Sequence, residues 1–251
     1  MRRPGANVIA MTKTAYDGVA AWYDALVRAG SPADQVVIPP LFELLGNFQG
    51  QRICDLACGQ GRIARAMARL GAEVVGVDIS TQLLEIARRD EAAEPLGITY
   101  LSDDAETLAT LPDDTFDGVV CHLALMDVAD MAAAFRAIGR VLRSQGWFVF
   151  SITHPCFESP HATWTRAADG TVSRQVHNYF EEGFWRSENV EGVRGRVGAH
   201  HRTLSTCLNT LIQTGFTVER IVEPRATGPA ADCVPGYAIV PAFMLVRCKK
   251  G

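Results

Sequence analysis

No apolar run in the 251-residue chain approaches the ~18 positions that a membrane-spanning helix needs. The opening MRRPGANVIAMTKT has too short and mixed a core for a signal peptide. No C-x-x-C pair is present, so structural zinc is not expected. The seven cysteines are odd in number and scattered, which argues against a disulfide framework. Cys54, Cys121 and Cys248 fall in strand-like runs, the usual place of reduced core thiols, and a cytoplasmic location is expected. There is no excess of positive charge. A formal net charge of −4 argues against broad affinity for nucleic acid or anionic membrane. Internal repeats and low-complexity tracts are also lacking. What remains, 48% hydrophobic and 21% charged, suits one well-filled α/β domain with an added lid or cap.

The chain is organised around residues 51–80, QRICDLACGQGRIARAMARLGAEVVGVDIS. Arg52–Leu56 reads as a buried strand, Gly59-Gln60-Gly61 as a turn, Arg62–Leu70 as a helix and Glu73–Val77 as a second strand ending on Asp78. Glycines let the backbone bend sharply there and let a ligand approach the main chain. Gly59 to Ala64 formally fits the dinucleotide pattern G-x-G-x-x-G/A. Asp55 on the strand before it argues the other way, because a carboxylate would repel a pyrophosphate but not a ligand carrying an ammonium and a sulfonium.

Further along, Thr12–Arg28 has helical spacing, and a second helix is expected over Ala33–Leu45, interrupted by Pro39-Pro40. Ser80 caps a helix over Thr81–Glu94, and Ile98–Leu101 forms a third strand running into Asp103, Asp104 and Ala105. A fourth strand, Phe116–Cys121, ends at His122 and Leu123. A helix over Asp130–Leu142 and a polar turn at 143–146 lead into a fifth strand, Trp147–Thr153. Residues 154–202 are the least regular and hold five of the six histidines, with a hairpin expected around Asp169-Gly170. The histidines lack ligand spacing, so no metal site is expected. A helix over Thr203–Thr214, a strand over Phe216–Val222 and a last strand over Pro241–Lys249 complete the chain.

Asp55-Leu56-Ala57-Cys58-Gly59-Gln60-Gly61 resembles motif I, D/E-x-x-x-G-x-G, of the class I S-adenosylmethionine (SAM) dependent methyltransferases, small-molecule type. Tyr16, Ala20, Tyr23 and Asp24 stand at the spacing of that family's Y-x-x-x-A-x-x-Y-D lid helix, and residues 116–153 resemble its F-D-x-V strand and the helix–turn–strand that follows. The resemblance implies a doubly wound, mostly parallel seven-stranded sheet with an antiparallel last strand. It also implies a lid over residues 1–48, a SAM-binding core over 49–153, a substrate cap inserted over 154–202 and completion of the sheet over 203–251. By the same carry-over, Asp55, Ala57, Cys58, Gly59 and Gly61 line the methionyl and ribose side of the cofactor. Asp78 takes the ribose hydroxyls, Ile79 packs on adenine, and Asp104 with Ala105 meets its polar edge, with Asp103 a rival. Leu123 offers backbone to the amino group, while Tyr16 and Tyr23 close over the ligand. His122, His154 and His201 are the candidate general bases, and His122 is also a candidate cofactor contact.

The expected reaction is methyl transfer to an oxygen or nitrogen, less readily a carbon, of a small-molecule acceptor, by a monomer or homodimer. The N/D-P-P-Y/F grip of amine methyltransferases is missing after the fourth strand, which disfavours nucleic-acid and protein amines. A nicotinamide-dependent oxidoreductase on the same βαβ unit, and a non-catalytic SAM-binding module, remain the alternatives.

Overall fold

A computed structural model describes residues 15–251. The start of the expected first helix, residues 12–14, lies outside the described residues. Beyond it a short 3-10 turn, Asp17–Val19, leads into α1 (Ala20–Ala29), so the expected continuous helix is broken at Val19. Gly30, at φ 76, ends α1, and α2 (Pro32–Leu45) begins with a reciprocal cap between Ser31 and Asp34. The helix runs through Pro39 and Pro40 without stopping. Two missing N–H donors are offset by burial of Val36, Val37, Leu41, Leu44 and Leu45 against β5 and β11 of the main sheet.

The remaining elements follow the expected order. They are β1 (Arg52–Leu56), α3 (Arg62–Arg69), β2 (Glu73–Asp78), α4 (Thr81–Ala93), β3 (Thr99–Ser102), β4 (Phe116–His122), α5 (Met131–Val141) and β5 (Leu142–Thr153). Ser80, Asp130 and Thr203 cap the helices that follow them, each side chain accepting a backbone N–H. β5 starts five residues earlier than its apolar run. Phe116 pairs with Leu142 and Gly118 with Trp147, so the polar turn at 143–146 is carried as a bulge within the strand. Between β5 and α7 (Leu204–Gln213) lie two small antiparallel pairs. One is the expected hairpin, β6 (Thr163–Arg166) with β7 (Val172–Gln175); the other is β8 (Gly183–Trp185) with β9 (Ala199–His201). The four-residue helix α6 (Val193–Arg196) sits between β8 and β9.

β10 (Phe216–Val222), α8 (Gly228–Cys233) and β11 (Phe243–Lys250) finish a seven-stranded sheet of order β3-β2-β1-β4-β5-β11-β10. Only the last strand is reversed. β11 runs antiparallel to both β5 and β10, so β10 is parallel to β5 and the sheet is mostly parallel with an antiparallel last strand, as the resemblance implies. The strand order turns back between β1 and β4, and in such a sheet the crevice at the carboxyl ends of those strands is where a ligand fits.

Alternation along the strands builds a core on each face. Cys54, Val119, Phe148 and Phe150 join one apolar cluster, and Ile53, Val120, Trp147 and Val149 join the other. Phe135, Phe148, Phe150 and Phe216 pack ring against ring, with centroids 5.1 to 6.1 Å apart. All seven cysteines are free, and Cys54, Cys121 and Cys248 are fully buried, as the strand pattern predicts.

Gly118 is a packing constraint. A Cβ there would lie 2.1 Å from the Trp147 ring, which is held by its Nε1–H donating to Gln51 Oε1 at 2.9 Å. Gly118→Ala is expected to lower stability by about 1–3 kcal/mol. Denaturant unfolding measures it, and a change under about 0.5 kcal/mol would contradict this packing.

Candidate cofactor and acceptor site

The turn after β1 is wound tightly. Ala57, Gly59 and Gly61 all have positive φ, at 53, 55 and 81°. The two glycines serve different ends. A Cβ on Gly61 would fall 2.2 Å from the Tyr100 hydroxyl, whereas on Gly59 it would meet nothing nearer than Leu83 at 3.8 Å. Gly61 is therefore set by packing, and Gly59 leaves its surroundings open to a ligand.

This turn borders a cleft of about 840 Å³, lined among others by Asp78, Ile79, Asp104, Ala105, Leu123 and Tyr16. A second lobe of about 500 Å³ shares Ala57, Gly59, His122 and Leu123 with it and adds Asp55, Cys58 and Gln60. Eleven of the thirteen cofactor residues expected from the sequence are among those just named, Tyr23 lines both lobes, and Gly61 stands at the turn behind them.

Two carboxylates dominate the electrostatics. Asp78 Oδ2 accepts the Gly59 N–H and its Oδ1 accepts the Ser80 N–H, both at 2.7 Å. Burial pushes its carboxyl up to about 6, even with those two donors pulling it down. Asp55, at 1% exposure, has no hydrogen-bond partner for Oδ2 among the described residues. Burial raises it to about 8, the Ala64 backbone lowers it, and the neighbouring Asp78 charge raises it further. In the same lobe the buried Gln60 Nε2 donor also lacks a partner. An orphaned acceptor and an orphaned donor in one lobe fit the ammonium and carboxylate of an amino-acid moiety, which is the donor set a methionyl group requires.

At the opposite end Asp103 is committed to its own loop, accepting from Asp104 N, Thr110 N and Thr110 Oγ1 at 2.6 to 2.7 Å. Asp104, which accepts from Glu106 N at 3.0 Å, is thus the better placed of the two for an adenine edge. The N–H of Leu123 donates to Ser151 O and Oγ, both at 3.0 Å, so its carbonyl is the backbone group it can offer.

The N-terminal segment borders this cleft through Tyr16 and Tyr23. Tyr16 and Tyr23 meet edge to face at 5.1 Å, and Asp17 Oδ1 accepts from Ser80 Oγ at 2.6 Å. The Tyr16 hydroxyl donates to Asp127 Oδ2 at 3.2 Å, and the other oxygen of Asp127 holds Arg194 of α6. Arg196 stacks over the Trp22 ring at 4.4 Å. No spacing rule connects Asp127 to Arg194, 67 residues away, and sequence reasoning missed their pairing.

The three candidate bases separate. His122 lines both lobes, with Nδ1 at 2.9 Å from Ser151 Oγ and Nε2 at 4.0 Å from Asp34 Oδ1. Burial holds its imidazole below the usual histidine range, although Asp34 pulls it upward. His154 is not brought to the cleft. Its Nε2 is 2.7 Å from Glu223 and its Nδ1 accepts the Cys156 N–H. His201 gives Nε2 to the Tyr179 carbonyl at 2.8 Å and borders a separate cavity. Among the described residues no group of three or more His, Cys, Asp or Glu could hold a metal ion. No described helix is long and apolar enough to cross a membrane.

The raised Asp55 carboxyl has a measurable sign. The folded protein holds a proton that the unfolded chain releases near pH 4, so Asp55 costs stability as pH rises toward about 8. A ligand ammonium needs the charged form, so binding of S-adenosylhomocysteine should expel that proton. Affinity is expected to rise by up to about tenfold per pH unit between pH 6 and 8. Calorimetry in buffers of different ionisation enthalpy reads the proton release; Asp55→Asn should abolish it, and a pH-independent affinity would exclude the contact.

Comparison with known proteins agrees with this geometry. Residues 54–150 match the family model described as a methyltransferase domain. The chain is 34% identical to the S-adenosylmethionine dependent methyltransferase of Mesorhizobium loti, whose crystal structure superposes with a TM-score of 0.76 over 88% of this chain and 99% of that one. It is 38% identical to the ubiquinone biosynthesis O-methyltransferase of Alkalilimnicola ehrlichii over 43% of this chain and 44% of the relative. The Bordetella avium enzyme of the same name is 31% identical over 59% and 63% respectively. The match thus spans less than two thirds of either ubiquinone enzyme's length. With motif, fold and whole-length relative in agreement, the chain belongs to the class I SAM-dependent methyltransferases, and S-adenosylmethionine is its cofactor.

Proposed function

We propose that the protein methylates an oxygen of a small-molecule acceptor, with nitrogen the second choice. The observation that carries the choice is His122, a buried imidazole held neutral at the carboxyl end of β4, inside the cofactor cleft. A hydroxyl or phenol must lose a proton as it is methylated, and a neutral imidazole in reach can take it. The names of the two ubiquinone relatives, O-methyltransferases, point the same way.

Bound SAM supplies a methyl group on a sulfonium, already activated for displacement. The chain then has to bind, align and exclude water. In this reading Asp55 and Gln60 take the ammonium and carboxylate, Asp78 the ribose hydroxyls, and Asp104 with Ala105 the adenine edge. Tyr16 and Tyr23 cover the ligand. With Nδ1–H donating to Ser151, the Nε2 lone pair of His122 accepts the acceptor's proton, and the Asp34 carboxylate at 4.0 Å stabilises the resulting imidazolium. His154 and His201 hold the cap rather than a proton in transit.

We further place the lid at residues 1–48, the cofactor core at 49–153, the acceptor cap at 154–202 and the sheet's completion at 203–251. The seven free thiols suit a reducing cytoplasm.

Incubation with methyl-labelled SAM and matched phenols and amines, read by mass spectrometry, tests the acceptor atom: label on amines alone would reject oxygen. With a phenol, His122→Gln is expected to lower kcat by roughly 10²–10⁴ and remove the acid limb of the pH profile. A variant retaining both rate and profile would make His122 a structural residue.

A further inference from the structure

Beyond the cofactor cleft lies a second cavity, between the end of β5, the cap and α5. Its apolar wall is Met126, Met131, Ile152, Trp185 and Cys207. Three polar side chains also line it, and each has a buried atom with no partner among the described residues: Arg202 Nη1, His200 Nε2 and Glu158 Oε1. Buried polar atoms are seldom left unpaired, and three lining one cavity are what a site built for a polar ligand group looks like.

The rest of each side chain is already anchored or packed. Arg202 Nη2 donates to the carbonyls of Val128 and Ala129 at 2.6 and 2.8 Å. Those two residues line the cofactor cleft, so Arg202 sits on the wall between the two spaces. Glu158 Oε2 accepts from Arg174 at 2.8 Å. The His200 ring packs 5.3 Å from that of Phe184. Among the described residues no carboxylate forms an ion pair with Arg202, in contrast to Arg194 in the same wall, which Asp127 neutralises. A buried guanidinium with a donor to spare calls for an anion, and carboxylate is the group whose geometry it matches. Trp185 and the two methionines favour a flat, apolar body behind that head.

We infer that this cavity seats the acid end of the methyl acceptor and selects aryl carboxylates, the acid head lying on Arg202 and the ring against Trp185, Met126 and Met131, with the hydroxyl end turned toward the cofactor cleft and His122. This rests on the methyltransferase reading. The oxygen methylated is then a hydroxyl elsewhere on the ring, since the carboxylate is held at the wall.

The test is calorimetric titration of the protein saturated with S-adenosylhomocysteine, using 4-hydroxycinnamate and its primary amide as probes. The acid should bind, and the amide at least about tenfold more weakly, the loss of one charge-assisted contact. Arg202→Gln should erase that preference and Arg202→Lys should keep part of it. Trp185→Ala should weaken both probes while leaving their ratio unchanged. Retained S-adenosylhomocysteine binding by each variant is the folding control. Equal affinity for acid and amide, no binding of either, or a preference that survives in Arg202→Gln would overturn the inference. Failure of the unaltered protein to take up S-adenosylhomocysteine would instead strike at the methyltransferase reading on which it rests.

Discussion

The constraint on which the site depends is the exclusion of water from two carboxylates at the ends of neighbouring parallel strands. Asp55 on β1 and Asp78 on β2 lie near the carboxyl ends of adjacent strands, two positions apart in register, and each is almost wholly buried. Asp78 is repaid by two backbone donors, Asp55 Oδ2 by none. A fold that keeps an acceptor dry and unpaired forgoes stability that a hydrophobic residue would supply. A cation placed beside Asp55 would supply the missing partner. The positive-φ turn, the glycine beside Tyr100 and the capped α4 all hold those two oxygens in place.

How much of this could be read from the chain varies with the range of the interaction. β1, α3, β2 and α4 were legible almost to the residue, because their caps, turn glycines and alternation are local. So was the choice of cofactor, which hung on Asp55 standing where a pyrophosphate would not tolerate it. The bulge at 143–146 was legible as a turn but not as part of β5, since its strand character comes from pairing with β4. The prolines of α2 were read as a break because local propensity says so, and packing on the sheet overrode it. The direction of β10 depends on pairing with a strand that follows it and cannot be seen locally.

The cap was the least legible region, and the reason is physical. Its fixed points are contacts across long stretches of chain: Asp127 with Arg194, Val128 and Ala129 with Arg202, His154 with Glu223. A histidine count singled out residues 154–202 but could not show which contacts each ring makes. Two of the three named histidines hold structure together, while His200, passed over, presents an unpaired nitrogen to a cavity.

One carboxylate, Asp127, is shared by the lid through Tyr16 and by the cap through Arg194. Neither cover can swing away without surrendering a bond that the other also relies on, so the two doors of the enzyme are hinged to one post. Loss of that one carboxylate would free both segments at once.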